Sequence, residues 1–154
     1  MLRRASTEDA ASIYRVHMAS IRGLARDHYS AVQIEAWCGK RSPESYLRPL
    51  AEDVMFVAES QGDVVAFSQM NIQKCSVEAV YVHPQHVRQH LGNQLLRAVE
   101  ASAVAAGIAE LTLQASLNAV PFYTAAGYIP GALAHHVVGG GAVIPCLTMS
   151  RILR

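Results

Sequence analysis

The sequence predicts a mixed α/β fold in which helices pack against a sheet. Helix start signals and apolar residues at three- and four-residue spacing fill residues 6–52. Two β-rich runs, 54–59 and 63–70, then follow each other across a short polar turn, and the later strands alternate with helices. Strands that first pair locally and then alternate with helices are typical of a mixed sheet covered by helices.

Length and composition indicate a domain with a substantial core. The chain has 154 residues, 51% of them apolar, and a formal charge of +1. No apolar run approaches the roughly 20 residues of a membrane-spanning helix, and the N-terminus turns polar at Thr7 without a signal-peptide segment. There is no basic tract for nucleic acid and no cationic amphipathic helix for a membrane. We therefore expect one cytoplasmic domain over residues 1–154, without nucleic-acid or membrane partners.

The cysteines fit a reducing compartment. Cys38, Cys75 and Cys146 are odd in number, widely spaced and set in apolar surroundings. Such cysteines are typical of reduced thiols in a cytoplasmic protein. We predict that all three are buried packing residues.

Three helices are predicted in the first third of the chain. After a short strand at 2–5, the first helix carries an apolar stripe that begins at Ala10, and Gly23 marks its end. A capping box at 30–33 starts the second helix. The third starts at Ser42-Pro43, where a cap residue precedes a proline at the first helical position.

The segment from Val77 to Glu100 reads as a buried strand, a sharp turn and an amphipathic helix. Pro84 ends the strand, and apolar residues recur from His90 onward at helical spacing. A strand that leads through a loop into a helix start presents free backbone N–H groups beside the positive end of the helix dipole. This arrangement suits an anion such as a phosphate.

The last third continues the alternation of strands and helices. The helix from His90 ends at Gly107, and a strand follows at 109–117. Asn118 then caps a short helix that Gly127 ends. Two β-rich stretches, 128–138 and 142–153, close the chain around the Gly139–Gly141 run, which we interpret as a hairpin tip.

Three features together resemble the GNAT superfamily of acyl-CoA-dependent N-acetyltransferases. Residues 87–92, Val-Arg-Gln-His-Leu-Gly, correspond to the family's Gln/Arg-x-x-Gly-x-Gly/Ala loop. Residues 118–128, Asn-Ala-Val-Pro-Phe-Tyr-Thr-Ala-Ala-Gly-Tyr, are similar to the family's Asn-x-x-Ala/Pro-x-x-Phe-Tyr-x-x-x-Gly-Phe/Tyr segment. The order of elements agrees over nearly the whole chain. The resemblance implies a mostly antiparallel central sheet flanked by about four to five helices, an acyltransferase activity, and acetyl-CoA as the acyl donor.

A narrower likeness is to the YafP-type bacterial acetyltransferases. It is carried by His28-Tyr29-Ser30, by the segment 33–37, by an acid at position 78 and by Pro121-Phe122. Acceptor pockets in this family are built largely from the first helices, so His28, Tyr29 and Trp37 are candidates to bind the acceptor. A core position is the alternative for Trp37, because it lies on an apolar helix face.

The resemblance also implies which residues bind coenzyme A. Backbone N–H groups of the strand would lie near the thioester, and the loop would hold the pyrophosphate. Asn118 would touch the pantetheine arm, although helix capping explains it equally well. The implied set is Val80, Tyr81, Val82, Val87, Arg88, Gln89, His90, Leu91, Gly92, Asn93, Asn118, Phe122 and Tyr123.

The loop departs from the family at two positions. His90 stands where the family prefers its first glycine, and Val87 where it prefers Gln or Arg. Glycine lets a backbone approach a pyrophosphate without a Cβ in the way. We expect His90 to keep helical backbone angles and still offer its N–H, while Arg88 and Gln89 supply side-chain donors. The alternative is a non-catalytic acyl-CoA-binding regulatory module with a degenerate pyrophosphate loop.

Acetylation of an amine requires a base for the amine proton, donors for the carbonyl oxygen and an acid for the leaving thiolate. The resemblance implies Tyr123 as the acid that protonates the sulfur of coenzyme A. Glu78, which shares a strand face with Val80 by simple alternation, is our candidate base, directly or through a water. Core packing for Tyr123 and a solvated position for Glu78 are the alternatives. The predicted reaction is direct attack by a primary amine of a small molecule or peptide on acetyl-CoA.

The histidines at 83, 86 and 90 suggest a metal site as a further alternative. A structural zinc site needs four closely spaced ligands, and no cysteine or carboxylate lies near these histidines in the sequence. We therefore predict loop histidines beside an anion site and no metal. The late β-rich region offers an edge at which a homodimer could form.

Overall fold

The computed structural model describes residues 1–138 and 141–153. These residues form a sheet of seven strands with helices on both faces. In chain order the elements are β1 (Leu2–Arg4), α1 (Ala10–Leu24), α2 (Ala31–Cys38), α3 (Leu47–Glu52), β2 (Val54–Ser60), β3 (Asp63–Asn71), β4 (Ser76–Val82), α4 (Leu91–Ala105), β5 (Glu110–Ser116), α5 (Val120–Ala125), β6 (Ile129–Val137) and β7 (Val143–Ile152). The predicted hairpin tip at Gly139–Gly141 lies largely outside the described residues.

The sheet confirms the predicted mixed, mostly antiparallel architecture. Its strand order is β1-β2-β3-β4-β5-β7-β6, and only β4 and β5 pair in parallel. The β2–β3 hairpin closes where Ser60 pairs with Asp63, and both turn residues have positive φ, 52° at Gln61 and 85° at Gly62. This is the hairpin that the polar turn between the two β-rich runs predicts.

Two helices cover opposite faces of the sheet. On one face, Ile13 and Val16 of α1 pack against Val57 and Phe67. On the other face, the buried stripe of α4 predicted from the sequence packs against β2, β3 and β5 through Leu95, Leu96 and Val99. Each of these leucines is 0% exposed, so truncating either to alanine should cost about 2–5 kcal/mol of unfolding free energy.

The first helix ends close to where the sequence predicts. Gly23 lies in its last turn, and α1 ends at Leu24. A Cβ on Gly23 would lie 2.6 Å from Cγ of Pro84, at the turn that follows β4. The glycine is therefore a packing requirement between α1 and this turn. The sequence predicted the helix end near this glycine but not its packing role, because both roles carry the same local signal.

The other helix starts follow the local signals. The capping box of α2 is present, since the Gln33 N–H donates to Ser30 Oγ at 3.1 Å and the Ser30 N–H donates to Gln33 Oε1 at 2.9 Å. The Ser42-Pro43 start begins a 3₁₀ turn, Pro43–Tyr46, which leads into α3. The first turn of this segment is tighter than an α-helix, with the proline where its missing N–H is not needed.

The three cysteines are all free, but they are not equally buried. Cys38 and Cys146 are buried as predicted, with 2% and 5% exposure. Cys75 is only half-buried, so the prediction of burial was wrong there. Its backbone has a positive φ of 52°, in the turn that connects β3 to β4. In the part of the chain that the structure describes, no helix has both the length and the apolar character to cross a membrane.

The parallel pair of strands is what opens a site in this fold. β4 and β5 pair only where Ser76 and Val77 face Thr112 and Leu113. Beyond these residues the two strands separate, while β5 stays paired with β7 up to Ser116. A gap between two adjacent strands therefore runs along the second half of β4.

Candidate active site

The gap between β4 and β5 opens into two cavities. The smaller, about 370 Å³, lies against residues 86–93 and α5, and we call it the loop cavity. The larger, about 670 Å³, is lined by His17, Trp37 and Tyr46 among others, and we call it the aromatic cavity. The residues that line both are Val77, Glu78, Ala79, Tyr81, Gln114 and Ser116. Two ligands bound in these cavities would thus meet along β4.

The loop between β4 and α4 has an unusual backbone. A 3₁₀ turn at Pro84–His86 and an extended Val87 lead to Arg88 and His90, whose φ angles are +68° and +61°. His90 is the residue before α4 and is left-handed, so the expectation of helical angles was wrong. The chain must reverse here to enter the helix, which forces positive φ. A side chain with a Cβ in this region costs about 1–2 kcal/mol, which explains the family's preference for glycine.

Most of the predicted loop residues line the loop cavity. Gln89 is the exception, since it is exposed and does not contribute to the lining. Gly92 brings α4 and α5 together, because a Cβ there would lie 3.2 Å from Cε1 of Phe122. The lining residues from this loop and helix start are Val87, Arg88, His90, Leu91, Gly92 and Asn93.

Two buried polar atoms in the loop cavity have no hydrogen-bond partner among the described residues. They are Oδ1 of Asn118 and Nδ1 of His86. The prediction that Asn118 caps the short helix was wrong. A 3₁₀ turn at Leu117–Ala119 precedes α5, and Ala119 occupies the cap position. An orphaned buried acceptor costs about 1–3 kcal/mol, so the cavity fits a ligand that carries hydrogen-bond donors along its length. The sequence reasoning missed His86, whose only signal was its place in the histidine cluster.

The edge of β4 adds further groups. Along 79–82, backbone groups that point away from β3 have no strand partner, because β5 has turned away. Val80, Tyr81 and Val82 all line the loop cavity. Free N–H groups of a strand edge can donate to a carbonyl oxygen on a ligand. Coenzyme A, with its amide-bearing arm and pyrophosphate, matches the donors and acceptors that the loop cavity offers.

Tyr123 lies on α5 and is only 6% exposed. Its ring makes edge contacts with Phe122 and Tyr128, at centroid distances of 4.9 and 5.7 Å. Burial, together with the nearby Tyr81, raises the pKa of Tyr123 well above its ordinary value. The phenol is protonated at neutral pH, as an unperturbed tyrosine also is, and it lines the loop cavity.

A buried polar network holds the turn that follows α5. The hydroxyl of Tyr128 donates to Oε2 of Glu100 at 2.9 Å, and Nη1 of Arg151 donates to the same oxygen at 2.9 Å. Gly127, with a φ of +98°, lies against the Arg151 side chain. These bonds tie α4 and β7 to the turn that follows the helix carrying Tyr123. The motif match alone did not reveal the role of Glu100.

Glu78 lies on a β-bulge. Gln69 pairs with Ala79 and Met70 with Val77, so Glu78 has no partner on β3. The simple alternation that we used to place Glu78 is therefore interrupted at this residue. Its carboxylate is exposed, accepts a hydrogen bond from Ser76 Oγ at 3.1 Å and lines both cavities. An exposed carboxylate at the junction of two cavities can accept a proton from a ligand in either one.

The aromatic cavity contains a buried histidine, His17 of α1, which the sequence analysis did not single out. Nδ1 of His17 lies 2.7 Å from the hydroxyl of Tyr46, and the imidazole packs against Phe67 and Tyr81. Burial, with a smaller effect of Arg41, lowers the pKa of His17 to about 3. Burial also raises the pKa of Tyr81 to about 12. At neutral pH both side chains are therefore uncharged. In the sequence, the only signal for the role of His17 was a single histidine within the apolar stripe of the first helix.

The three predicted acceptor residues are placed differently. Trp37 lines the aromatic cavity and makes an edge contact with Tyr29 at a centroid distance of 5.3 Å. His28 is exposed and lines neither cavity. Tyr29 is buried, and its hydroxyl connects two distant segments. It donates to the carbonyl of Pro145 at 2.6 Å and accepts from the N–H of Leu117 at 2.9 Å. Of these three side chains, only Trp37 lines one of the two cavities.

The histidine cluster does not converge. The rings of His83 and His86 lie 6.0 Å apart, and the His83 imidazole accepts a hydrogen bond from the Gln85 N–H at 3.2 Å. Within residues 1–138 and 141–153, no group of three or more His, Cys, Asp or Glu side chains is placed to hold a metal ion.

Comparisons with known proteins agree with this geometry. The family described as acetyltransferase (GNAT) domain matches residues 25–139. A GCN5-related N-acetyltransferase from Rhodopseudomonas palustris is 31% identical, with a TM-score of 0.93 over 99% of this chain and 95% of that chain. No curated protein sequence matches significantly.

Two more distant structures share the fold and were solved with the ligand that the loop cavity fits. PaiA N-acetyltransferase from Thermoplasma acidophilum, in complex with coenzyme A, is 20% identical, with a TM-score of 0.76 over 99% of this chain and 98% of that one. The protein yncA from Salmonella typhimurium, with acetyl-CoA, is 22% identical, with a TM-score of 0.74 over 100% and 94%. The family supports an acyltransferase with coenzyme A as the acyl carrier, and the non-catalytic alternative is not favoured. The chain belongs to the GNAT family of acetyltransferases.

Proposed function

We propose that this protein transfers the acetyl group of acetyl-CoA to a primary amine of a small molecule or peptide by direct attack. One observation carries the proposal. The loop cavity and the aromatic cavity meet along β4, where Glu78 and Tyr81 line both. A donor in the first cavity and an acceptor in the second would come together beside these residues, with no covalent enzyme intermediate required.

The loop cavity is the proposed donor site. Acetyl-CoA supplies an acetyl group activated as a thioester. The start of α4, around Gly92, would hold the pyrophosphate through backbone N–H groups at the positive helix end, supported by Arg88. Asn118 Oδ1, which is buried without a partner among the described residues, would accept a hydrogen bond from the pantetheine arm. Free N–H groups of Val80–Val82 would donate to the thioester oxygen.

Two side chains are proposed to move protons. Glu78 would accept the proton of the attacking amine, directly or through a water, because its exposed carboxylate lies at the junction of the cavities. Tyr123 would donate its hydroxyl proton to the departing sulfur, which is supported by its place in the loop cavity. The new bond joins the amine nitrogen to the acetyl carbon, and the carbon–sulfur bond breaks.

The wider setting is also part of the proposal. We infer a single N-acetyltransferase domain over 1–154, supported by the one sheet that contains every described strand. Three free cysteines support a cytoplasmic location. Trp37 and Glu78, both part of the YafP-type likeness, line the aromatic cavity, which supports that narrower assignment. The edge strand β6 exposes Ile129, Leu133 and Val137, which supports a homodimer contact there.

The proposal is tested by two measurements on the purified protein. Coenzyme A should raise the melting temperature, since it binds the folded state. Thiol release from acetyl-CoA should depend on an added amine drawn from a broad panel of small amines and peptides. If coenzyme A binds but no amine of the panel causes thiol release, the protein is only a binding module. If coenzyme A does not bind and no thiol is released, the assignment of the donor site is also wrong.

A further inference from the structure

We propose that the acceptor carries a carboxylate beside its amine, and that Arg41 binds this carboxylate in the aromatic cavity. The acceptor class is thus a small amino carboxylate. This inference deepens the proposed function and rests on it.

The guanidinium of Arg41 is hydrogen-bonded to the protein through one of its three nitrogens. It follows α2, and its Nη1 donates to the carbonyls of Trp37 and Cys38, the latter at 3.1 Å. Both hydrogen bonds that Arg41 makes with described residues start from this one nitrogen. The N–H groups on Nε and Nη2 remain for another partner. A guanidinium presents its donors as a rigid planar fork that matches the two oxygens of a carboxylate.

The charge of Arg41 has no counter-ion in the described part of the chain. The ion pairs there involve Arg3, Arg22, Arg48 and Arg151, and none includes Arg41. Arg41 is half-buried and lines the aromatic cavity, beside rings that provide no negative charge. A cation partly removed from water in such surroundings is costly unless an anion joins it. An anionic ligand would supply the missing partner.

The positive charge of Arg41 affects the pKa values of neighbouring aromatic residues. Arg41 contributes to the lowered pKa of His17, after burial, and it opposes the effect of burial on the pKa of Tyr46 and Tyr81. All three line the same cavity as Arg41. Arg41 therefore lies near the wall against which a bound acceptor would pack.

The lining of the aromatic cavity divides the two charges of an amino carboxylate. Among its described lining residues, Glu78 is the only carboxylate, and Arg41 and Lys74 are the lysine and arginine cations. The amine belongs near Glu78, where the two cavities meet, and the carboxylate belongs with a cation. Lys74 is exposed on the loop before β4, where its ammonium is well hydrated. Arg41, half-buried and fork-shaped, is the better carboxylate partner, and the 670 Å³ cavity suits a small molecule.

The test uses the intrinsic fluorescence of the protein, because the sequence contains one tryptophan, Trp37, and it lines the aromatic cavity. With coenzyme A present, the protein is titrated with matched pairs of ligands. Each pair consists of an amino carboxylate and the same amine without its carboxylate, over a range of side-chain sizes. We expect the amino carboxylate of the preferred pair to bind at least about tenfold more tightly.

Variants separate Arg41 from general charge. Arg41→Gln should remove the preference for the carboxylate, so that the two members of the preferred pair bind with similar affinity. Arg41→Lys keeps a charge without the fork and should keep part of the preference; it also serves if Arg41→Gln lowers the melting temperature. Lys74→Gln is the matched control and should keep the full preference. Equal binding of the two members of every pair, no binding by any amino carboxylate, or an unchanged preference in Arg41→Gln would overturn the inference.

Thiol release, measured on the same pairs, distinguishes this inference from the proposed function. Release with amines but without preference for the carboxylate would overturn the role of Arg41 and leave the acetyltransferase proposal standing. A carboxylate preference in the fluorescence titration without any thiol release would support the role of Arg41 and overturn the acetyltransferase proposal.

Discussion

Gly92 at the start of α4 lies directly against Phe122 of α5, so that a Cβ added at Gly92 would be 3.2 Å from Cε1 and 3.3 Å from Cζ of the ring. The contact brings the helix start and the segment of Tyr123 to opposite sides of one cavity. A side chain at position 92 must therefore displace Phe122.

Gly92→Ala should weaken binding of coenzyme A several-fold and lower the unfolding free energy by about 1–3 kcal/mol, because overpacking displaces the ring. Calorimetric titration and thermal unfolding measure the two effects. Gln94→Ala, on the exposed side of the same helix, is the control and should change neither. Unchanged affinity and stability in Gly92→Ala would mean that α5 yields freely.

His90→Gly and His90→Ala both remove the imidazole and differ only in the Cβ. Because φ at position 90 is +61°, we expect the glycine variant to be more stable than the alanine variant by about 1 kcal/mol. Thermal or urea unfolding of both proteins measures the difference. If His90 contributed chiefly through its side chain, the two variants would lose stability and coenzyme A affinity equally.

Tyr123→Phe should lower kcat at least about a hundredfold and leave the affinity for coenzyme A nearly unchanged, since general acid catalysis contributes about 10²–10⁴ in rate. Steady-state thiol release and a binding titration separate the two quantities. Tyr128→Phe is the comparison, because it loses the hydrogen bond to Glu100 and should chiefly lower stability, by about 1–3 kcal/mol. Full turnover in Tyr123→Phe would take Tyr123 out of the acid role.

Glu78→Gln should reduce kcat/KM at neutral pH without a loss of stability beyond about 0.5 kcal/mol, because the side chain is exposed. The rate should recover partly at higher pH, where more of the amine is already deprotonated. Ser76→Ala removes the hydrogen bond to Glu78 and should have a smaller effect. A pH–rate profile identical to that of the unmodified protein would exclude Glu78 as the base.

His17 should make stability depend on pH. Its pKa is lowered from 6.5 to about 3 by burial, so between these values the unfolded chain binds a proton that the folded protein does not. The unfolding free energy should therefore fall as pH drops below 6.5, by up to about 1.4 kcal/mol per pH unit from this group. Urea unfolding from pH 4 to 7 should show a shallower slope for His17→Gln than for the exposed control His28→Gln. Equal slopes would contradict this account.

Much of the fold was predictable because its signals are local. The capping box at Ser30, the turn at Gly62 and the apolar stripe of α4 each depend on residues a few positions apart. The segment around Tyr123 belongs to the same class, since its motif spans one short helix. Such signals define strands, helices and a family resemblance before any long-range contact is known.

Local signals were insufficient where a distant contact decides the structure. Gly23 lies near the predicted helix end, but its close approach to Pro84 has no local signal. Asn118 reads as a cap, but the 3₁₀ turn before α5 leaves its Oδ1 in the loop cavity. The hydrogen bonds of the Tyr29 hydroxyl with Pro145 and Leu117 likewise depend on residues that are distant in the sequence.

The sequence by itself determined the order of the elements, the hydrophobic faces and the two motifs that carry the family resemblance. Only the tertiary structure decided where β4 leaves β5, that Glu78 sits on a bulge, and that His17, Trp37 and Arg41 line one cavity. The physical reason is the range of the interactions. Helix and turn signals act within a few residues, whereas the cavities depend on contacts such as that between His17 and Tyr46, which are 29 positions apart.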